Sequence, residues 1–203
     1  KSQVDLTVNI QTFSLRKLFA SLGLDFPLET SDPETFKKLS MDLHLKADQA
    51  SVGITDGKFT FDETLTGFNL ALKSSGHPNL KVYMEIDQIN ADRYLPPPSE
   101  EEKPEPVKSG TEKDQETDYS ALRAFDSVID VKIGEMTVSK VKFSNFLMNL
   151  TSVKGLFNLK NLSLNTYDGT VLSSGRFDFR KNTPVMSLNF EGKGIQAGPL
   201  LKD

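Results

Sequence analysis

Apolar and polar side chains alternate with period two along most of this chain. Val4, Leu6, Val8 and Ile10 alternate with Gln3, Asp5, Thr7 and Asn9. Met41, Leu43, Leu45 and Ala47 share one parity, as do Ala50, Val52 and Ile54, then Phe59 and Phe61, then Phe68, Leu70 and Leu72, then Val82, Met84 and Ile86. The pattern resumes at Ile129, Val131 and Ile133, passes through Met136, Val138, Val141 and Phe143, and continues with Phe146, Met148 and Leu150, then Phe157 and Leu159. Successive side chains of a strand point to opposite faces, so this pattern predicts half-buried strands with one apolar face. The clearest stretch is Leu162 to Asp203. There Leu162 and Leu164, then Phe177 and Phe179, then Met186, Leu188 and Phe190 alternate between the turns Tyr167-Asp168-Gly169 and Lys181 to Pro184.

Few helices interrupt this series. Ser14 predicts the N-cap of a short helix, Leu15 to Leu22, stopped by Gly23. A second is predicted from Pro33 to Leu39, with Ser31 or Asp32 as cap and Pro33 in the first turn. Tyr119 to Phe125 predicts a helical turn or two. Thr55-Asp56-Gly57 reads as a turn, and Ser74 to Pro78 as a loop. From Pro96 to about Thr117 the chain is Pro, Glu, Lys and Ser with almost no apolar side chain. Such a stretch buries too little surface to offset its ordering entropy and reads as a flexible surface linker.

Two patterns recur. Lys46 to Val52 and Lys132 to Val138 each read as a strand end, a turn (Asp48-Gln49 or Gly134-Glu135) and a new strand. Thr12 to Phe19, Gln88 to Leu95 and Gly194 to Leu201 each read as a strand exit, a polar cap and a closing apolar pair. The predicted division is 1–38 as the end of a preceding β unit with short helices, 39–95 as one β unit, 96–118 as linker and 119–203 as a second unit. Serial β units sharing one apolar face are a way of building solenoid-like proteins. The fold class expected is mainly β, with antiparallel, strongly curved or groove-like sheets built from related units and short capping helices.

Composition narrows the functional classes. The 203 residues carry a net charge of −4, which argues against a nucleic-acid partner. There are no cysteines, so disulfides, thiol nucleophiles and thiolate metal sites are excluded. No apolar run reaches the ~20 residues a membrane helix needs. The opening at Lys1, inside a strand pattern and without a signal peptide, suggests a segment of a longer protein. His44 and His77 are the only histidines, and they lie in different contexts, the first on a strand and the second in a loop. Neither has the neighbours of a convincing metal site. Glu100, Glu101 and Glu102 fall in the linker, where nothing holds them as acid and base. No enzyme, no cofactor and no metal is expected.

Several stretches taken in order resemble the AsmA family. They are Ile86 to Pro97, Tyr167 to Thr170, Ser174 to Arg180 with Thr183-Pro184, and the closing Gly194 to Asp203. The acidic, Pro-rich linker after Pro97 is also typical of that family. The resemblance implies the periplasmic C-terminal region of a Gram-negative envelope protein, tethered to the inner membrane elsewhere in its chain and linked to outer-membrane biogenesis. It further implies an apolar β-groove that carries phospholipid or another acyl-chain lipid. Envelope assembly proteins are the other implied partners, and nucleic acid is not. The wall candidates are Phe143, Phe146, Met148, Phe157, Leu159, Leu162, Leu164, Phe177, Phe179, Met186, Leu188 and Phe190. The same residues at the same period would equally serve as the core of a closed sandwich, and the alternation alone leaves both open. In the second case the chain would be a structural or protein-interaction β module assisting outer-membrane protein assembly.

Overall fold

The computed structural model describes residues 3–97 and 118–196. Ten strands form one open sheet in the order of the chain: β1 (Val4–Phe13), β2 (Leu39–Ala47), β3 (Ser51–Phe61), β4 (Thr64–Lys73), β5 (Asn79–Asn90), β6 (Asp126–Val138), β7 (Val141–Val153), β8 (Leu156–Thr166), β9 (Gly169–Asp178) and β10 (Val185–Lys193). Every neighbouring pair is antiparallel except β5 and β6, which run parallel from Asn79↔Asp126 to Asn90↔Thr137. That seam joins the two predicted β units into one sheet. Helix α1 (Leu15–Ser21) follows β1, a 3₁₀ turn (Ala91–Arg93) follows β5, and helix α2 (Ser120–Arg123) precedes β6. Ten strands at about 4.8 Å spacing extend the sheet about 43 Å across the strands.

Strand directions define two rims. β1, β3, β5, β6, β8 and β10 all end on the rim that carries α1, and the opposite rim carries α2. Ser14 caps α1 as predicted, its hydroxyl accepting from the Lys17 amide, and Gly23 ends the helix at φ +68°. Asn90 caps the 3₁₀ turn in the same way through the Asp92 amide. The third copy of this junction is described only as far as Gln196, whose amide donates to the Tyr167 carbonyl; residues 197–203 lie outside the described residues. So does the predicted linker from 98 to 117.

The predicted breaks in alternation are not strand ends. Thr55-Asp56-Gly57 does not turn the chain, because β3 runs on to Phe61 with a bulge between Ile54 and Gly57. Gly134-Glu135 is likewise interior to β6, so Lys132 to Val138 does not repeat the Lys46 to Val52 turn. There the beat is skipped by three strands at once: Ile86, Ile133 and Phe146 are in register, and so are Ile89 and Met136, and Met136 and Phe143. Asn145 takes φ +52° at this row. Phe157 and Leu159 belong to the same strand as Leu162 and Leu164, with a register shift between Leu159 and Leu162. A bulge adds one residue and inverts the parity beyond it, so one long bulged strand looks like two short ones in the sequence.

Pro33 to Leu39 is not a helix. Residues 33–36 make one turn, and Phe36 leaves helical space at φ +63°. The amides of Phe36, Lys37 and Lys38 donate to the Asp62 carboxylate at 2.7 to 3.1 Å instead of to carbonyls of their own segment. A carboxylate that accepts three amides competes directly with the helical bonding pattern.

Candidate functional site

Register places the apolar side chains of all ten strands in shared rows. One row runs Leu6, Leu45, Ile54, Leu70, Val82, Ile129, Leu150, Leu159, Gly175 and Leu188, one residue from each strand. The next runs Phe68, Met84, Val131, Met148, Leu162, Ser173 and Phe190. Neighbours within a row lie about 5 Å apart, so the face is continuous over the parallel seam. No charged side chain occupies these rows.

Among the described residues no second layer covers this face. Tertiary packing is between sheet neighbours, and the sheet is not closed. Only Leu159 and Val171 of the described residues are buried hydrophobics. On the last strand Met186, Leu188 and Phe190 keep 61%, 56% and 68% of their surface. A closed sandwich core would bury such residues almost completely. The wall reading and the core reading therefore separate here: the alternating residues line a face open to solvent.

Eleven of the twelve predicted wall residues lie on this face. Phe146 opposes Ile133, Met148 opposes Val131 and Leu162, Leu164 opposes Val171, and Phe177 opposes both Phe157 and Met186. Phe143 opposes Met136 at the α1 rim. Phe179 reaches the face from outside the strands. It lies past the end of β9, and its ring packs on Phe157 and Tyr119 at 5.7 and 5.2 Å. The first half of the face lies outside the wall candidates: Leu6, Leu45, Ile54, Leu70 and Val82 extend the same rows. Their alternation carried the signal, but only register shows that the two halves are one surface.

Two corners of the face are covered. At the α1 rim, Phe36 and Tyr94 pack on Phe61 at 5.2 and 4.8 Å, and Phe26 joins Phe36 to Phe19 of α1. Beneath them Thr64 and Thr66 are buried. The buried Asp62 ties this cover down, accepting from Tyr94 as well as the three amides. Burial, together with that bond to Asp62, holds the Tyr94 hydroxyl well above the ordinary phenol range. Arg93 bonds Glu63 and, at 2.7 Å, Asp32. At the α2 rim, Ser127 and Ser152 are buried and share a hydrogen bond of 2.8 Å, while Arg123 donates to the Phe179 carbonyl.

The opposite face is polar. Asp5 pairs with His44 at 2.5 Å and Lys46 at 3.7 Å, and the His44 hydrogen bond lowers its pKa. Asn149 donates to Asp130. A depression of about 880 Å³ spans β3–β7 and is bordered by Gly67, Phe68, Tyr83, Ile86, Gly134 and Phe146 among others. His77 pairs with Asp126 in its loop. Among the described residues no group of three His, Asp or Glu side chains could hold a metal ion, and no helix is long and apolar enough to cross a membrane.

The turn between β9 and β10 yields a pH prediction. Arg180 grips Asp178 through its side chain and then its amide, holding that carboxyl at a pKa of about 2. A depressed folded-state pKa contributes stability above the unfolded value and loses it as pH falls toward 2. NMR titration should show Asp178 with a midpoint near 2, returning toward about 3.9 in Arg180→Gln. A midpoint unchanged by the substitution would show that the pair does not form.

An open, single-layer β-sheet with one uncharged apolar face is a protein built to present hydrocarbon surface rather than to bury it. The model of the AsmA family matches residues 3–203, and the chain belongs to that family. Membership supports a role in the cell envelope, of the outer-membrane biogenesis type. No curated protein and no solved structure matched the chain.

Proposed function

We propose that this chain is a periplasmic segment of an envelope protein tethered to the inner membrane elsewhere in its sequence. In this reading its apolar face binds or conducts phospholipid, without catalysis. The observation that carries the proposal is the row from Leu6 to Leu188, uncharged across ten strands and, among the described residues, without a second layer. Acyl chains laid on it gain about 25 cal/mol for each Å² of apolar surface removed from water. A headgroup needs water and would sit at a rim, where the turns and charges are.

Native mass spectrometry of the purified chain, followed by lipid extraction, tests this. Phospholipid should co-purify with the folded chain. In Met148→Asp or Leu162→Asp, whose side chains are only half-buried, occupancy should fall at least about tenfold, the equivalent of 1.4 kcal/mol. A folded chain that retains no lipid in any preparation would sink the proposal.

One observation favours a second reading, a module that assembles proteins by strand addition. The outer edge of β10 is nine residues long, pairs with β9 without a register shift, and has no proline. Such an edge is a template for another strand. A proteinase-resistant complex between the lipid-free chain and an unfolded outer-membrane β-strand peptide, lost in Asn189→Pro, would support it.

A further inference from the structure

We infer that hydrocarbon occupies only an oblique band of the apolar face, running from the α2 rim over β2–β5 to the α1 rim over β6 and β7. The inference rests on the lipid reading above and specifies where in that site the acyl chains lie. Its basis is the placement of the covers. The aromatic cover built on Phe61 closes the α1 rim over β3–β5. The cover built on Phe157, Phe179 and Tyr119 closes the α2 rim over β8 and β9. The two lie at diagonal corners, on opposite sides of the parallel seam. Among the described residues no aromatic cover lies on the other diagonal, which holds Leu70 and Val82 in the first half and Met136 and Phe146 in the second, all half-buried.

The placement of hydroxyl groups agrees. Thr64, Thr66, Ser127 and Ser152 are buried at the two covered corners. On the rest of the face, Thr166 donates to the Lys142 carbonyl and Ser173 to the Asn189 carbonyl. Each of those hydroxyl donors is committed to the backbone. With no charged side chain in the rows either, the band offers an occupant neither charge nor a free donor. The chemistry it complements is hydrocarbon, and the charged part of a lipid must leave by a rim. The covers restrict that exit to the α2 rim in the first half and the α1 rim in the second, so the path crosses the seam instead of following it.

The chain has no tryptophan, so one introduced indole is a unique reporter. Leu70→Trp and Phe146→Trp place it in the band, and Phe61→Trp and Phe157→Trp under the covers. The probe is vesicles of a phosphatidylcholine brominated on one acyl chain, at roughly ten times the Kd so that about nine-tenths of sites are filled. Band indoles should lose more than half of their emission, and covered indoles should lose little. Equal quenching at all four positions, in variants with unchanged circular dichroism, would overturn the oblique band while leaving lipid binding intact. Quenching at none of the four would remove the lipid reading itself. For variants that do not fold, the wild-type chain is photolysed with a diazirine-bearing phosphatidylcholine. Adducts should map to β2–β7 and be missing from residues 31–36 and 152–157; adducts at those covered segments would overturn the inference.

Discussion

Asp62→Ala should lower stability by roughly 3 to 5 kcal/mol, the largest loss expected from any single side chain here. Asp62 is 5% exposed, and it accepts from the amides of Phe36, Lys37 and Lys38 and from the Tyr94 hydroxyl. Truncation leaves four donors facing a site with little water. Each buried donor without an acceptor costs about 1 to 3 kcal/mol, reduced where the segment can move out to solvent. The segment from Leu22 to Phe36 is also held at Ser31, whose amide and hydroxyl donate to the Leu95 and Asp92 carbonyls, and by Arg16, so its movement out to solvent is partial. For a chain of this size the change corresponds to a fall in Tm of about 10 °C. Asp62→Asn keeps acceptor capacity at one oxygen and should lose about half as much. Thermal unfolding by circular dichroism measures both, and an Asp62→Ala Tm within about 2 °C of wild type would show that the cover is not anchored there. Because the cover then loosens, the same variant should expose Phe61 and Thr64 to solvent, raising amide exchange at the ends of β3 and β4 before the rest of the sheet.

Gly134→Ala should destabilise by about 2 to 4 kcal/mol, whereas Gly67→Ala should change stability by less than about 0.5 kcal/mol. Both glycines border the same depression, yet their surroundings differ. A Cβ at Gly134 would stand 2.4 Å from the Asp87 carbonyl oxygen, across the parallel seam, where the obstacle is backbone and cannot rotate away. A Cβ at Gly67 would find nothing nearer than the Glu85 carbonyl at 4.0 Å. The seam must open by several tenths of an ångström to admit the added methyl group, which weakens the pairing of Ile86 with Ile133 and Gln88 with Glu135. Urea unfolding of the two variants separates the cases. A smaller m-value in Gly134→Ala would mean that the two halves have begun to unfold separately. Equal stability of the two variants would show that the seam has slack at this point.

Much of the architecture was legible from period-two alternation. Strand positions, the α1 cap at Ser14 and the β8–β9 hairpin all follow from local chemistry, because a strand face or a cap is decided within a few residues. At the hairpin the positive φ values fall on Tyr167 and Asp168. Gly169 is needed for a different reason: a Cβ there would meet the Lys193 carbonyl at 2.5 Å. That contact joins two strands and is invisible in the motif itself. The failed expectations share one cause. Turns were read at Thr55–Gly57 and at Gly134-Glu135, and a helix at Pro33–Leu39. In each the decisive partner lies far away in the chain: Asn69 accepts from the Asp56 amide, Gly134 abuts Asp87, and Asp62 takes the amides of residues 36–38.

The candidate site divides along the same line. Alternation determined which side chains share a face with their own strand neighbours, and eleven of the twelve wall candidates fall on strands of the apolar one. It could not say whether that face meets a second layer, since a sandwich core and an open wall use the same residues at the same period. Nor could it join the halves, because the β5–β6 pairing spans 47 positions in sequence from Asn79 to Asp126. Register across ten strands, and a sheet that among the described residues stays open and packs chiefly between neighbouring strands, decided both. The physical reason is that burial belongs to what lies opposite a side chain, and only the folded sheet has an opposite side.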